Sequence, residues 1–170
     1  MGTRPIDADV RRIWEDMPLS PSVLDYHYNE VDKIYYAFAR DCGLSSCAFW
    51  MLYDLYQGRG SLALRELCEL WSFSKQTINS ALKTLEAKGL IELDYEEGSR
   101  KNKVASLTDD GIVFAAERIR PVVEAEQRAF DSLSEGEGET LVRLIKKYAA
   151  ALGAQMRAVR GITDEEGGDA

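Results

Sequence analysis

The sequence contains too little cysteine and histidine for several common kinds of functional site. Three cysteines and one histidine occur in 170 residues, and no two cysteines have the CxxC spacing. An odd cysteine count without that spacing argues against a disulfide scaffold and fits a reducing, cytoplasmic location. His27 is the single imidazole, and no nucleophile–base pair or metal-ligand cluster is visible. We therefore expect no enzyme activity, no metal site and no cofactor.

Long apolar runs are also missing. No stretch approaches the roughly 18 consecutive apolar residues of a membrane helix, and the N-terminus lacks the apolar core of a signal peptide. We therefore expect neither membrane insertion nor export. The chain is 45% hydrophobic and 29% charged, which is typical of a folded protein. Four prolines in the chain are few enough to allow long helices. The formal net charge of −8 argues at first against a nucleic-acid partner.

The spacing of apolar residues predicts a mainly helical chain with a small β component. Helices are expected over residues 6–17, over 22–41, and from a Ser45 or Ser46 cap to Tyr56. Thr108 is expected to cap a further helix that Pro121 kinks or breaks. A capping box at Ser134–Glu137 is expected to start the last helix, whose apolar side carries Leu141, Ile145, Tyr148, Leu152 and Val159.

Residues 61–108 have a different pattern of apolar residues, with shorter segments than the preceding helices. A short extended piece over 61–63 and a short helix over 64–71 precede a tight turn, and Ser74 is a good N-cap for a helix to Lys88. Two alternating segments, 90–95 and 103–107, then flank a polar tip over 96–102. This order predicts a helix-turn-helix followed by a β-hairpin wing.

The helix from Ser74 to Lys88 has two chemically different faces. At 100° per residue, Ala81, Leu82 and Leu85 lie within about 60° of Ile78 and form an apolar face. The opposite side is polar or lysine-bearing and holds no carboxylate, although the protein is acidic. Such side chains bind phosphates and base edges. The candidate DNA-binding residues on this helix are Ser74, Lys75, Gln76, Thr77, Asn79, Ser80, Lys83 and Thr84.

The charge distribution agrees with that interpretation. Residues 74–103 carry a net charge of +1, whereas the remainder of the chain carries −9. Arg100 and Lys101 at the hairpin tip are candidates for minor-groove contacts beside a docked helix. A solvated helix face and a solvated charged turn are the simpler alternatives.

Four motifs occur in order along this region and resemble those of the MarR family of bacterial transcription regulators, over roughly residues 30–155. They are Glu66-Leu67-Cys68, Ser74-Lys75-Gln76-Thr77-Ile78, Leu85-Glu86-Ala87-Lys88-Gly89-Leu90-Ile91 and Leu107-Thr108-Asp109-Asp110-Gly111. The resemblance implies a homodimer with interlocked terminal helices, in which two winged helices read a pseudo-palindrome. It also implies a recognition helix over Ser74–Lys88 and a wing tip at Ser99-Arg100-Lys101. On this basis we expect one MarR-like domain over 1–170, divided into N-terminal helices (6–57), winged helix-turn-helix (61–108), C-terminal dimerisation helices (109–160) and a flexible tail (161–170).

Two residues depart from the family pattern. Ser99 stands where the wing usually has an aspartate, so the ion pair that braces the wing is missing. Cys68 stands where a small residue is common between two close helices; burial is the simpler explanation and redox sensing the alternative. Cys42 and Cys47 flank a helix junction and are also candidates for redox chemistry, although only Arg40 is a nearby basic residue.

The N-terminal half is rich in aromatic residues. Residues 26–56 hold nine of the sixteen aromatic side chains. They either form core and dimer contacts or line a pocket for a small aromatic effector that releases DNA. The candidate effector residues are His27, Tyr35, Trp50 and Tyr53.

We therefore expect a dimeric DNA-binding repressor, with double-stranded DNA and a second copy of the chain as partners. The amphipathic ends of the chain, 6–17 and 134–159, are the expected dimer surface; packing within one chain is the alternative. A winged-helix module that binds protein and not DNA is the second functional hypothesis, because the chain is acidic and Glu96 and Glu97 lie beside the wing tip.

Overall fold

The structure is a computed structural model that describes residues 18–58, 60–70, 72–96, 98–99 and 103–161. The helix expected over 6–17, the wing-tip residues Arg100 and Lys101, and the tail over 162–170 lie outside the described residues. In the described part of the chain, no helix is both long enough and apolar enough to cross a membrane. The elements are α1 (Pro21–Asp41), α2 (Ser46–Gln57), β1 (Ser61–Ala63), α3 (Leu64–Leu70), α4 (Lys75–Ala87), β2 (Ile91–Tyr95), β3 (Lys103–Leu107), α5 (Asp109–Phe114), a π-helical turn (Ala115–Ile119), α6 (Arg120–Asp131) and α7 (Glu137–Val159).

The order of elements confirms the predicted winged helix-turn-helix. The three strands form one antiparallel sheet with the strand order β1-β3-β2. The β2–β3 hairpin is in register from Ile91 opposite Leu107 to Tyr95 opposite Lys103. Strand β1 joins the free edge of β3, with Ser61 opposite Ser106. The fold is therefore mainly helical with a small sheet, as the sequence predicts.

The chain divides into two compact units, Met1–Arg120 and Pro121–Ala170. The core of the first unit centres on α2, whose Phe49, Leu52 and Leu55 side chains are fully buried. Leu85 of α4 and Ile119 of the π-helical turn are also fully buried. Helix α2 packs against α4, the sheet and the π-helical turn, so it holds the winged helix in place.

Helix ends in the first unit follow local sequence signals. Ser45, and not Ser46, caps α2 by accepting a hydrogen bond from the Ala48 amide at 3.2 Å. Helix α4 ends in a Schellman motif, in which the Leu90 amide donates to the Leu85 carbonyl and Gly89 has φ of 68°. Because this motif uses the Leu90 amide, β2 begins at Ile91 and not at Leu90 as expected.

A π-helical turn directly precedes Arg120 and Pro121, where the sequence predicts a kink or break, and the helix continues through the proline to Asp131. The Arg120 amide donates to the Ala115 carbonyl, five residues earlier, immediately before the proline that has no amide hydrogen to donate. Helix α7 starts later than predicted. Gly136, in a left-handed conformation, takes the N-cap position, and the Ser134 side chain does not cap the helix. Half of the predicted box does form, because the Ser134 amide donates to the Glu137 carboxylate at 2.8 Å.

Candidate nucleic-acid interface

Helix α4 begins at the cap that the sequence predicts. The Ser74 hydroxyl accepts a hydrogen bond from the Thr77 amide at 3.1 Å, and the two hydroxyl oxygens lie 2.8 Å apart. The first turn contains no acidic residue. The positive end of the helix dipole is therefore not neutralised by a carboxylate of that turn.

The two faces of α4 are separated as the spacing predicts. Ile78, Ala81, Leu82 and Leu85 are buried, at 0–5% exposure. The candidate DNA-binding side chains of this helix are all exposed: Ser74, Lys75, Gln76, Thr77, Asn79, Ser80, Lys83 and Thr84. The Thr84 hydroxyl donates to the Ser80 carbonyl at 2.9 Å, so its remaining capacity towards a ligand is as an acceptor.

The described residues of the wing make a hydrogen bond within the tip and a cation–ring contact at its base. The Ser99 amide donates to the Glu96 carbonyl at 2.9 Å, and Gly98 has φ of 77°, a left-handed conformation that favours glycine. Lys103 begins the return strand, and its ammonium lies 5.8 Å from the centre of the Tyr95 ring. The roles predicted for Arg100 and Lys101 remain predictions.

A cleft lies between α4, the N-terminal part of α3 and the wing. Its volume is about 460 Å³. Ile78, Leu82 and Leu93 contribute apolar surface to it, and Asn79 and Glu86 contribute polar groups. Four cationic side chains also line it: Arg65, Lys75, Lys83 and Lys103. We call this space the helix–wing cleft.

Two of these cations, Arg65 and Lys103, were not among the predicted site residues. Arg65 is on the short helix before the turn, and Lys103 is on a strand that reads as structural. Lys103 contributes to the net charge of residues 74–103, and strand alternation places it on the same face of β3 as Ala105, but neither signal places it beside Arg65. Arg65 also pairs with Glu96 of the wing, at 3.9 Å between the guanidinium and the carboxylate.

Three of the four candidate effector residues lie in one aromatic cluster. The Tyr35 and Trp50 ring centres are 4.6 Å apart, and those of Trp50 and Tyr53 are 5.3 Å apart. His27 is exposed on α1, where it makes an edge contact with Tyr26. The cluster borders a cavity of about 320 Å³ that includes Tyr35, Trp50 and Phe73 in its lining.

The cysteines that the structure describes are poorly suited to redox sensing. Burial raises the pKa of the Cys42 thiol, and the nearby Asp41 carboxylate raises it further, although the Arg118 guanidinium acts in the opposite direction. Cys47 is buried. The side chain of Cys68 lies outside the described residues. No group of three or more potential metal ligands occurs within the described ranges.

The exposed polar helix, its cap and the adjacent wing define a winged helix-turn-helix protein. The sequence profile of the MarR family matches residues 43–101, which span the helix-turn-helix and much of the wing. This match confirms the resemblance over the matched residues, which contain three of the four motifs; the motif at Leu107–Gly111 lies beyond them. Transcription regulators of the MarR family are not enzymes, as the sequence predicts for this chain. No curated protein sequence matches the chain.

Solved structures agree with the family match. A MarR family regulator from Neisseria meningitidis is similar at 25% identity and a TM-score of 0.66, covering 82% of this chain and 96% of that one. A putative MarR family regulator from Listeria monocytogenes, complexed with 26mer DNA, is similar at 20% identity and a TM-score of 0.66, covering 86% and 98%. A third, from Streptomyces coelicolor in complex with DNA, is similar at 21% identity and a TM-score of 0.60, covering 81% and 92%.

Proposed function

We propose that this protein is a sequence-specific DNA-binding transcription regulator that acts in the cytoplasm as a dimeric repressor. The observation that carries the proposal is the outer face of α4, which lies opposite the buried apolar face and carries no carboxylate among its exposed polar side chains, Gln76, Asn79, Ser80, Lys83 and Thr84. Helix α4 enters the major groove, and the wing over 96–102 reaches the minor groove. The regulators from Listeria and Streptomyces with the same fold were solved with DNA.

The chemistry of α4 suits base readout. Gln76 and Asn79 carry amides that pair with adenine edges, and Lys83 carries a donor for guanine or phosphate. Ser74 and Thr77 lie at the N-terminus of the helix, where side chains most often reach base edges or backbone. The acidity of the whole chain does not oppose this, because association depends on the local surface.

Dimerisation is supported by an exposed apolar stripe on α7. Leu141, Ile145 and Leu152 recur at helical spacing and are 39–45% exposed in the single chain. An exposed stripe of this length on one helix is typical of an interface. Two copies place two recognition helices against half-sites about 34 Å apart, which a single copy cannot do. We propose that the whole chain, 1–170, serves as one MarR-like domain in this dimer.

A small aromatic effector is the second part of the proposal. The cavity beside Tyr35 and Trp50 includes Ser72 and Phe73 in its lining, and these two residues directly precede the cap of α4. A ligand there would contact the turn that sets the start of the recognition helix. By linkage, a ligand that weakens DNA binding must itself bind more weakly to the DNA complex by the same factor.

The DNA-binding proposal is tested by selection from a random-sequence DNA pool, followed by gel shift with the selected duplex. We expect a salt-sensitive complex that the double variant Lys83→Glu, Arg100→Glu abolishes. Lys33→Glu is the control, because Lys33 is an exposed lysine of α1 that pairs with Glu30. Equal binding by the double variant and the wild type would show that the helix and wing assignment is wrong. No enrichment from the pool would favour the protein-interaction alternative.

A further inference from the structure

The helix–wing cleft concentrates positive charge in an acidic protein. Arg65, Lys75, Lys83 and Lys103 line it, while Glu86 is the one carboxylate among its described lining residues. These cations come from three separate elements, α3, α4 and β3. They surround one space of about 460 Å³ between the recognition helix and the wing. A single anionic group in that space would interact with several of them at once.

The cations keep their charged ends in water. The side chain of Arg65 is 66% exposed, and the three lysines are also exposed. The apolar side chains Ile78, Leu82 and Leu93 line the inner part of the cleft. Long basic side chains commonly lay their stems along such surface and leave the charge outside. The cleft is therefore suited to an anion that approaches from solvent, and the cost of desolvating the cations is small.

The link between Arg65 and Glu96 is weak enough to exchange. Its nitrogen and oxygen are 3.9 Å apart, and both side chains are at least 30% exposed. Exposed pairs of this kind contribute only about 0–1 kcal/mol. A phosphate offers the guanidinium a bidentate partner, which is stronger. Lys103 is held differently, through the ring of Tyr95.

We propose that the helix–wing cleft binds a backbone phosphate of the DNA, with Arg65 and Lys103 as contacts and Glu96 as the partner that Arg65 leaves on binding. This inference rests on the proposed DNA-binding function and deepens it. It adds two positioning contacts outside α4 to the expected interface. In the free protein, the carboxylate of Glu96 competes with DNA for Arg65.

The salt dependence of binding tests the phosphate contact. Binding of wild type, Arg65→Ala and Lys103→Ala is measured by fluorescence anisotropy over a range of salt concentrations. Two duplexes of equal length are used: one selected from the random pool and one of mixed sequence. Each phosphate contact contributes about 0.9 to the slope of log K against log salt. We expect each variant to lower the slope by about that amount per half-site. We also expect its affinity for the two duplexes to fall by similar factors.

Arg40→Ala is the matched control for Arg65→Ala. Arg40 also lies 3.9 Å from a carboxylate, that of Asp41, but it is on α1 and does not line the cleft. We expect its salt slope to equal that of the wild type. Circular dichroism melts of all variants check that the fold is intact.

The competing role of Glu96 gives a change in the opposite direction. Glu96→Gln is expected to raise the affinity for both duplexes, because it frees Arg65. Glu92→Gln removes the same charge from β2, the strand that Glu96 directly follows, but Glu92 does not line the cleft and lies on the face of β2 opposite to Leu93, which does. We expect Glu92→Gln to have the smaller effect, as its charge is screened over the longer distance.

Three results would overturn the inference. If Arg65→Ala and Arg40→Ala had equal salt slopes, Arg65 would not contact a phosphate. The proposed DNA-binding function would still stand in that case, provided that the wild type binds the selected duplex. If Arg65→Ala lost affinity for the selected duplex alone, Arg65 would contact a base edge and not a phosphate. If wild type bound neither duplex, the proposed function would itself be wrong, and the inference with it.

Discussion

Gly111 is the glycine at which an added methyl group is expected to lower the free energy of unfolding most. It lies in the first turn of α5, within the motif that follows β3. A β-carbon at this position would lie 1.9 Å from the Leu90 carbonyl oxygen and 2.9 Å from its carbon. Both neighbours are backbone atoms, which cannot rotate away as the end of a side chain can. The start of α5 and the α4–β2 junction would have to separate by about 1.5 Å to reach ordinary contact.

We expect Gly111→Ala to destabilise the protein by at least about 3 kcal/mol, the upper range for overpacking. The separation also breaks the hydrogen bond from the Thr108 amide to the Leu90 carbonyl, which is 3.2 Å long. For a chain of this size, about 3 kcal/mol corresponds to a fall in Tm of roughly 6–12 °C. Thermal unfolding followed by circular dichroism measures the shift, and urea unfolding measures the free energy.

Gly153→Ala is the control for this substitution. Gly153 lies in α7, where an added β-carbon would meet only the tip of Arg157 at 3.6 Å. Alanine in a helix is favoured over glycine by about 0.5–1 kcal/mol, so we expect this variant to be slightly more stable than the wild type. A Gly111→Ala variant as stable as the wild type would refute the close backbone packing described for α5.

Three further predictions concern assembly, pH and thiol reactivity. Ile145→Asp places a charge on the apolar stripe of α7 and is expected to yield monomers in sedimentation velocity; an unchanged dimer would contradict the interface. The Ser134 hydroxyl and amide lower the pKa of the Glu137 carboxyl, so the stability that Glu137 contributes should be present above its usual pKa and lost as pH falls through the lowered value. Urea unfolding of Glu137→Gln and wild type should therefore differ at neutral pH and converge in acid. Burial raises the pKa of Cys42, so iodoacetamide should alkylate it more slowly in the folded protein than after unfolding, as peptide mass spectrometry can measure; faster reaction in the folded protein would restore the redox hypothesis.

Much of the winged helix was predictable because its signals are local. The Ser74 cap, the buried row from Ile78 to Leu85 and the glycine after α4 all act within a few residues. Spacing alone separated the buried row of α4 from the exposed polar side chains on the opposite side. The predicted starts of β2 and α7 were less accurate, since both depend on which backbone amide the preceding turn uses in a hydrogen bond. The Schellman motif takes the Leu90 amide, and Gly136 displaces Ser134 as the cap of α7.

The sequence by itself determined the winged-helix order, the two faces of α4 and the family resemblance, because periodicity, caps and short motifs are properties of neighbouring residues. Only the tertiary structure decided which cations share a site. Arg65 and Lys103 come together because Ala63 pairs with Val104 across the β1–β3 ladder. That pairing closes a long loop, and no local pattern encodes it. The same holds for Gly111, whose need to be glycine comes from the carbonyl of Leu90, a residue of the α4–β2 junction.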